Sequence, residues 1–202
     1  MVRIIRRSGG LALSCALLFP VLLLGAAGLG VRPAVEEPAM AEDLGGKPLD
    51  PFARANGRVV VLLFVRTDCP IANRYAPLLQ KLSEKYRGKA DFWLVYPDRE
   101  QTVRQIRTHL EEYGYAIPAL RDSRHALVKR SLATITPEAA VFDSSGRLLY
   151  HGRIDNQFED LGRTRPLATT HELERAISAA LDGKMVSPDH VSAVGCYISD
   201  LK

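Results

Sequence analysis

The sequence predicts an α/β domain with a central mixed sheet flanked by helices. An apolar run, VVVLLFV over residues 59–65, is typical of a strand covered on both faces. A helical pattern and a second strand follow it, and right-handed crossovers make such strands parallel. Residues 139–142 and 148–154, separated by the turn sequence DSSG, predict an antiparallel hairpin. One sheet therefore combines both strand directions.

The elements are predicted in the order βαβα, then ββ, then α. The first helix follows Pro70, which suits a first helical position, and it runs over residues 71–86. The last helix is predicted to begin at Thr169, with Glu172 completing a capping box, and to end before Gly183.

An N-terminal hydrophobic leader precedes this domain. Arg3, Arg6 and Arg7 come before an apolar stretch over residues 11–31, in the order of a signal sequence. Its 21 residues are also long enough to span a bilayer, so a cleaved signal and a retained anchor both remain open. An A-x-A cleavage site, residues 39–41, favours the signal. In either case the arginines place the rest of the chain outside the cytoplasm, periplasmic, secreted or anchored facing outward.

Four segments are therefore predicted. Residues 1–41 form the signal peptide or membrane anchor, and residues 42–57 form a linker and a loop leading into the domain. The folded domain spans residues 58–183, and a tail over residues 184–202 carries Cys196. The membrane is a partner only through the leader, if that leader is uncleaved.

The charge balance excludes a nucleic-acid partner. The chain carries a formal charge of +4, but its first 41 residues hold four arginines and two glutamates, so the remainder carries +2. A nearly neutral domain with scattered charges has no basic surface for DNA or RNA.

Two cysteines are left for chemistry once Cys15 is assigned to the leader. Cys69 lies where a buried strand meets the first turn of a helix, and there unpaired backbone N–H groups and the helix dipole favour the thiolate form. Cys196 lies in the tail, and an oxidising compartment permits the two to pair. Cys69 is therefore the candidate nucleophile, with a small buried side chain as the alternative.

The chain resembles the thioredoxin-like superfamily, in particular the redoxin branch that holds TlpA-like thiol oxidoreductases and peroxiredoxins. The resemblance covers residues 55–183 and depends on four motifs. These are VVVLLFVRTDCP, Pro77 eight residues after Cys69, the pair Thr136 and Pro137, and VFDSSGRLLYHG. It implies a thioredoxin-like fold in which Pro137 is a cis-proline beside the active thiol.

The resemblance also implies a site and an activity. Thr136, Pro137 and Pro70 would bind the substrate, and the chain would act on thiols, disulfides or peroxides. Ala72 stands where thioredoxins have the second cysteine of C-x-x-C. Leu62 and Arg66 replace the proline and threonine of the peroxiredoxin motif.

Cys196 is thus the candidate resolving thiol, and its partners would be a thiol or disulfide protein or an external reductant. A structural disulfide or an intermolecular link for Cys196 stays open, as does a non-catalytic binding or assembly module. No metal or other cofactor is predicted, because His125, His151, His171 and His190 show no metal-ligand spacing.

Overall fold

The computed structural model describes residues 39–199 and residue 201. The predicted leader, apart from residues 39–41, lies outside these residues. The helices are α1 Pro51–Arg54, α2 Pro70–Lys85, α3 Val103–Glu112, α4 Ala126–Ser131 and α5 Glu172–Leu181. The strands are β1 Ala41–Asp43, β2 Pro48–Leu49, β3 Val59–Phe64, β4 Ala90–Tyr96, β5 Ala119–Arg121, β6 Ile135–Thr136, β7 Glu138–Phe142, β8 Leu148–Gly152, β9 Phe158–Asp160, β10 Arg163–Thr164, β11 His190–Val191 and β12 Cys196–Tyr197.

One mixed sheet organises the domain, as predicted. Its strands lie in the order β11, β8, β7, β3, β4, β5, β1, β2. The strands β3, β4 and β5 are parallel, whereas β7 runs antiparallel to both β3 and β8. Two small two-stranded sheets accompany it, β9 with β10 and β6 with β12.

The apolar run of β3 is fully buried because both faces of the sheet are covered. Alternate residues of a strand point to opposite faces. Val61 and Leu63 belong to a core cluster that includes α2 and α5, whereas Leu62 and Phe64 belong to a second cluster with α4. The strand therefore ends inside the domain, and its last residues hold the following loop at a fixed position.

Leu79 gives a direct test of this packing. It lies in α2, is completely buried, and contributes to the cluster that contains Cys69. We expect Leu79→Ala to lower the free energy of unfolding by about 2–5 kcal/mol, because the substitution removes buried methyl groups and leaves a cavity. Urea denaturation measures this loss. Leu167→Ala is the control, since Leu167 is 78% exposed and its truncation should change stability by under about 0.5 kcal/mol.

The segment over residues 42–57 differs from its prediction as a linker and loop. It contains parts of β1 together with β2 and α1, and β1 pairs with both β2 and β5. Ala39 and Ala41 are buried in the second core cluster. Ordered structure therefore begins well before residue 58, because the small side chains of these two alanines fit against this end of the sheet. Cleavage after Ala41 would remove both alanines from the core.

The last helix begins three residues later than predicted. Thr169 forms no capping box, because its hydroxyl and its backbone N–H are bound by the side chain of Asn156. His171 occupies the N-cap position and makes no side-chain cap. None of the helices among the described residues is long and apolar enough to cross a bilayer.

Candidate active site

Cys69 lies at the start of α2, where the sequence predicts it. It is the N-cap residue, Pro70 is the first helical residue, and the Cys69 carbonyl accepts the backbone N–H of Asn73 at 3.0 Å. The Cys69 side chain has no exposed surface and belongs to the main core cluster. Any reaction of this thiol with a bulky group therefore requires part of its cover to move.

The Thr136–Pro137 peptide bond is cis, as the resemblance implied, and it lies against this thiol. The Cys69 Sγ donates a hydrogen bond to the Thr136 carbonyl oxygen at 3.2 Å. Thr136 is completely buried at the end of β6. The first turn of α2 and the segment before β7 thus meet at one sulfur atom.

The C-terminal tail brings Cys196 to the same place. Strand β12 pairs antiparallel with β6, so that Cys196 lies opposite Thr136. The Thr136 hydroxyl donates to the Cys196 carbonyl at 3.3 Å, and the Ile198 N–H donates to the Thr134 carbonyl at 3.0 Å. The two cysteine Sγ atoms are 3.2 Å apart, and no disulfide bond joins them.

Two glycines let the tail approach the domain closely. A Cβ atom at Gly195 would lie 2.0 Å from the Thr136 carbonyl oxygen, and one at Gly152 would lie 2.1 Å from the Val191 carbonyl oxygen. Both contacts are with backbone, which cannot rotate away as a flexible side chain can. The tail is therefore fitted to β6 and β8 at two points, and Ile198 beyond them is buried in the second core cluster.

The surroundings of Cys196 favour the protonated form of its thiol. Burial raises the pKa of the Cys196 thiol above its ordinary value, and its hydrogen bond and charge interaction with Cys69 raise it further. Arg66 lowers it in part, while bridging the carboxylates of Asp68 and Asp98 at 3.1 Å each. The Cys196 thiol therefore keeps its proton and directs it at the Cys69 sulfur.

A protein-family model described as Redoxin matches residues 31–164 of this chain. The chain belongs to the redoxin family. The matched range contains β3, Cys69, Pro137 and the β7–β8 hairpin, whereas Cys196 lies beyond it. A search of curated proteins found no significant match to this redoxin.

Solved structures share the thioredoxin-like fold of this redoxin. A hypothetical protein from Sinorhizobium meliloti 1021 is 25% identical with a TM-score of 0.65, covering 79% of this chain and 88% of that one. An uncharacterized conserved protein from Geobacillus kaustophilus is 21% identical with a TM-score of 0.68, covering 79% and 86%. A secreted Mycobacterium tuberculosis disulfide oxidoreductase, homologous to E. coli DsbE, is 20% identical with a TM-score of 0.52, covering 71% and 98%. The fold predicted from the sequence is confirmed.

A buried polar network behind Cys69 is absent from the sequence predictions. His109 of α3 hydrogen bonds the Tyr96 hydroxyl at 2.8 Å through Nδ1 and the Asn73 amide oxygen at 2.9 Å through Nε2. Asn73 in turn donates to the Thr67 carbonyl at 3.1 Å, and Gln101 donates to the Thr67 hydroxyl at the same distance. This network positions the loop that leads into Cys69. The helical spacing could have predicted the burial of His109, since this residue lies three positions after Ile106 on the inward face of α3.

His109 makes the stability of this redoxin depend on pH. Burial lowers its pKa, so the folded chain binds its proton more weakly than the unfolded chain does. Stability is therefore full above the unfolded pKa of about 6.5 and falls as the pH drops below it, by at most about 1.4 kcal/mol per pH unit for one proton. We expect His109→Gln to reduce this fall in urea denaturation between pH 7 and pH 5. His171→Gln, which changes an exposed histidine, should leave the fall unchanged.

A second polar contact joins α2 to the segment after β8. The Tyr75 hydroxyl donates to the Asp155 carboxylate at 2.5 Å, and Asp155 also accepts the Gln157 N–H at 2.9 Å. Burial and the neighbouring carboxylate raise the Tyr75 pKa, so the phenol keeps its proton. The contact fixes the helix that carries Cys69 and places Asp155 in the interior rather than on a solvated loop.

Neither cysteine belongs to a potential metal cluster. Among the residues that the structure describes, the one group of three or more His, Cys, Asp or Glu side chains close enough to share an ion consists of Glu138, His151 and His190.

The three residues predicted to bind the substrate, Pro70, Thr136 and Pro137, lie near Cys69 in the structure. Pro70 follows Cys69 directly, the Thr136 carbonyl oxygen contacts the Cys69 sulfur, and Pro137 is the next residue after Thr136.

Proposed function

We propose that this chain is an extracytoplasmic thiol redox protein in which Cys69 is the nucleophile and Cys196 is the resolving thiol. The observation that carries the proposal is the 3.2 Å separation of the two sulfur atoms. A disulfide bond is about 2.05 Å long, so a closure of about 1 Å would join them. The tail thereby supplies the second thiol that C-x-x-C proteins place at the position of Ala72.

The reaction follows from ordinary thiol–disulfide exchange. The Cys69 thiolate attacks one sulfur of a partner disulfide, forms a mixed disulfide and releases the partner's other sulfur as a thiolate. The Cys196 thiol then transfers its proton to the partner thiolate released in the first step and attacks the Cys69 sulfur, which releases the second partner thiolate. The partner gains two electrons, the chain holds a Cys69–Cys196 disulfide, and an external dithiol restores both thiols.

The docked tail limits which partner reaches Cys69. By resemblance, the cis-proline of the Thr136–Pro137 pair binds a partner's backbone, but here β12 already pairs with β6 at Thr136. A partner protein would therefore displace β12 before its disulfide meets Cys69. A small disulfide or a peroxide needs a smaller opening. With a peroxide, Cys69 would become a sulfenic acid, and Cys196 would condense with it to the same disulfide and release water.

A structural disulfide is the second candidate, with the chain acting as a non-catalytic binding or assembly module. It is favoured by the complete burial of Cys69 and by the two close backbone contacts of the tail at Gly152 and Gly195. A cross-link between residues 127 positions apart would constrain the unfolded chain strongly. The chain-entropy model gives about 4.7 kcal/mol for a loop of about 100 residues.

The extracytoplasmic location is part of the proposal and derives from the leader. Three arginines precede the apolar stretch, and an outward-facing compartment is the one in which a Cys69–Cys196 disulfide would persist. Two fusions at residue 202 would test the orientation, one to a reporter enzyme that is active only outside the cytoplasm and one to a reporter that is active only inside it. Activity of the first fusion supports the extracytoplasmic location. Activity of the second fusion alone contradicts it.

Turnover separates the candidate substrates. The reduced chain is mixed with a dithiol and either insulin or hydrogen peroxide, and consumption of the dithiol is measured. Turnover with either substrate that is lost in Cys69→Ser supports the redox proposal and identifies the substrate class. No turnover with either, together with unchanged biological function of Cys69→Ser, would favour the non-catalytic module.

A further inference from the structure

Three side chains that are far apart in the sequence meet at the edge of the main sheet. Glu138 is the first residue of β7 and follows the cis-proline directly; His151 lies in β8 and His190 lies in β11. One potential ligand atom from each lies within 4.8 Å of the other two. The redox site uses none of these three side chains.

Glu138 is built into the structure as a fixed carboxylate. It is 3% exposed, and its Oε2 accepts the backbone N–H groups of Thr134 at 2.9 Å and Ile135 at 3.2 Å. Its other oxygen, Oε1, faces the His151 Nδ1 at 3.3 Å. The two backbone donors occupy Oε2 and leave Oε1 directed towards the histidines.

The backbone holds the two histidines in register. Strands β8 and β11 are parallel, with His151 opposite His190, and the imidazole rings stack with centroids 4.3 Å apart. The close approach of β11 to Gly152 fixes this pairing. His151 is half-buried and His190 is exposed, so an ion could reach the cluster from solvent.

We propose that Glu138, His151 and His190 bind a divalent transition-metal ion, with Zn²⁺ as the expected occupant. Two imidazoles and one carboxylate are a donor set that suits Zn²⁺ better than Mg²⁺ or Ca²⁺, which prefer oxygen alone. Ligands about 2.0–2.1 Å from a tetrahedral ion lie about 3.4 Å from each other. The 3.3 Å separation of His151 Nδ1 and Glu138 Oε1 matches this spacing, and the exposed His190 ring, which now stacks on His151, would turn to direct a nitrogen at the same ion. Three protein ligands leave a fourth position for water.

The ion would join the tail to the sheet. His190 belongs to the tail, six residues before Cys196, whereas Glu138 and His151 belong to the central hairpin. Bound metal would therefore add a cross-link between β11 and β7–β8, on the same tail that carries the resolving thiol. The site does not depend on the redox proposal, because its ligands exclude both sulfur atoms.

Metal titration of the full chain without a histidine tag tests the site. Zn²⁺ binding is measured by calorimetry, and Co²⁺ is added separately because its visible absorption reports nitrogen, oxygen or sulfur ligands. We expect one ion per chain and a Co²⁺ spectrum without thiolate charge transfer. His190→Ala should weaken binding by at least about 100-fold, since loss of even an outer partner costs roughly 10–100-fold. His171→Ala, at an exposed histidine outside the cluster, should bind as the parent does.

A Cys69→Ser/Cys196→Ser chain separates this site from metal capture by the thiols. We expect this chain to bind Zn²⁺ with the parent affinity. The proposed metal site is excluded if binding disappears with the two thiols and survives His190→Ala, or if the parent binds no ion. Either result leaves the thiol exchange reaction untouched, so the two proposals fail separately.

Discussion

The Cys196→Ser chain is expected to accumulate a mixed disulfide on Cys69 and to lose steady-state turnover. Serine keeps the size and the hydrogen-bonding capacity of the side chain 3.2 Å from the Cys69 sulfur, but it cannot form the second disulfide. Resolution would then wait for an external thiol. We expect turnover to fall by at least about 100-fold, because nucleophile and resolver act as a unit. Mass spectrometry of the quenched reaction detects the trapped adduct.

Ser199→Ala is the matched control for this substitution. Ser199 lies three residues further along the same tail and is exposed, so its hydroxyl is remote from the exchange. The control should turn over as the parent does and trap nothing. Full turnover of Cys196→Ser, with no adduct on Cys69, would show that another thiol resolves the intermediate and would contradict the assigned role of Cys196.

Gly195→Ala should uncover Cys69 by lifting the tail. The added methyl group would lie 2.0 Å from the Thr136 carbonyl oxygen and 2.7 Å from its carbon, so β12 has to move away from β6. Cys69 has no exposed surface while the tail is docked. We expect iodoacetamide to alkylate Cys69 of the reduced chain at least about tenfold faster, which corresponds to about 1.4 kcal/mol of lost docking. Peptide masses distinguish Cys69 from Cys196.

Ser192→Ala serves as the control in the same tail, because Ser192 is exposed and already carries a Cβ atom, so the substitution adds no atom that could push the tail away. Its Cys69 should react at the parent rate. We also expect the Cys69–Cys196 disulfide of Gly195→Ala to be easier to reduce than that of the parent chain. Equal alkylation rates in Gly195→Ala and the parent would mean that the tail does not control access to Cys69.

The sequence was sufficient to predict the central sheet and the position of Cys69. The run over residues 59–65 contains only apolar residues, so it needed cover on both faces, and the strand and helix patterns around it were regular. Cys69 lies four residues after the end of that run and directly before Pro70, which suits the start of a helix. Local patterns of this kind survive folding because many residues contribute to each of them.

The position of the tail could not be predicted in this way. Strands β11 and β12 are two residues each, too short to produce a periodic pattern. Their placement depends on close backbone contacts at Gly152 and Gly195, which a sequence shows only as glycines. For the same reason the histidine cluster was missed: His151 and His190 become neighbours only when β11 pairs with β8.

The predictions for the segment before β3 and for the start of α5 were wrong for a different physical reason. Prolines and glycines over residues 42–57 indicated a loop, yet pairing with β5 on one side and β2 on the other orders β1 within the sheet. Thr169 and Glu172 have the spacing of a capping box, but Asn156 binds Thr169 and Arg153 binds Glu172. In both places a long-range partner overrides the local preference.

The redox cycle of Cys69 and Cys196 is tested by the disulfide map of the purified full chain after mild oxidation, followed by titration with a dithiol. We expect a Cys69–Cys196 bond that a mild dithiol opens and that re-forms on oxidation, with Cys15 outside the pair. A chain in which Cys69 stays a thiol or pairs with another molecule would contradict this redox cycle. So would a Cys69–Cys196 bond that resists the dithiol until the chain unfolds, because that bond would be structural.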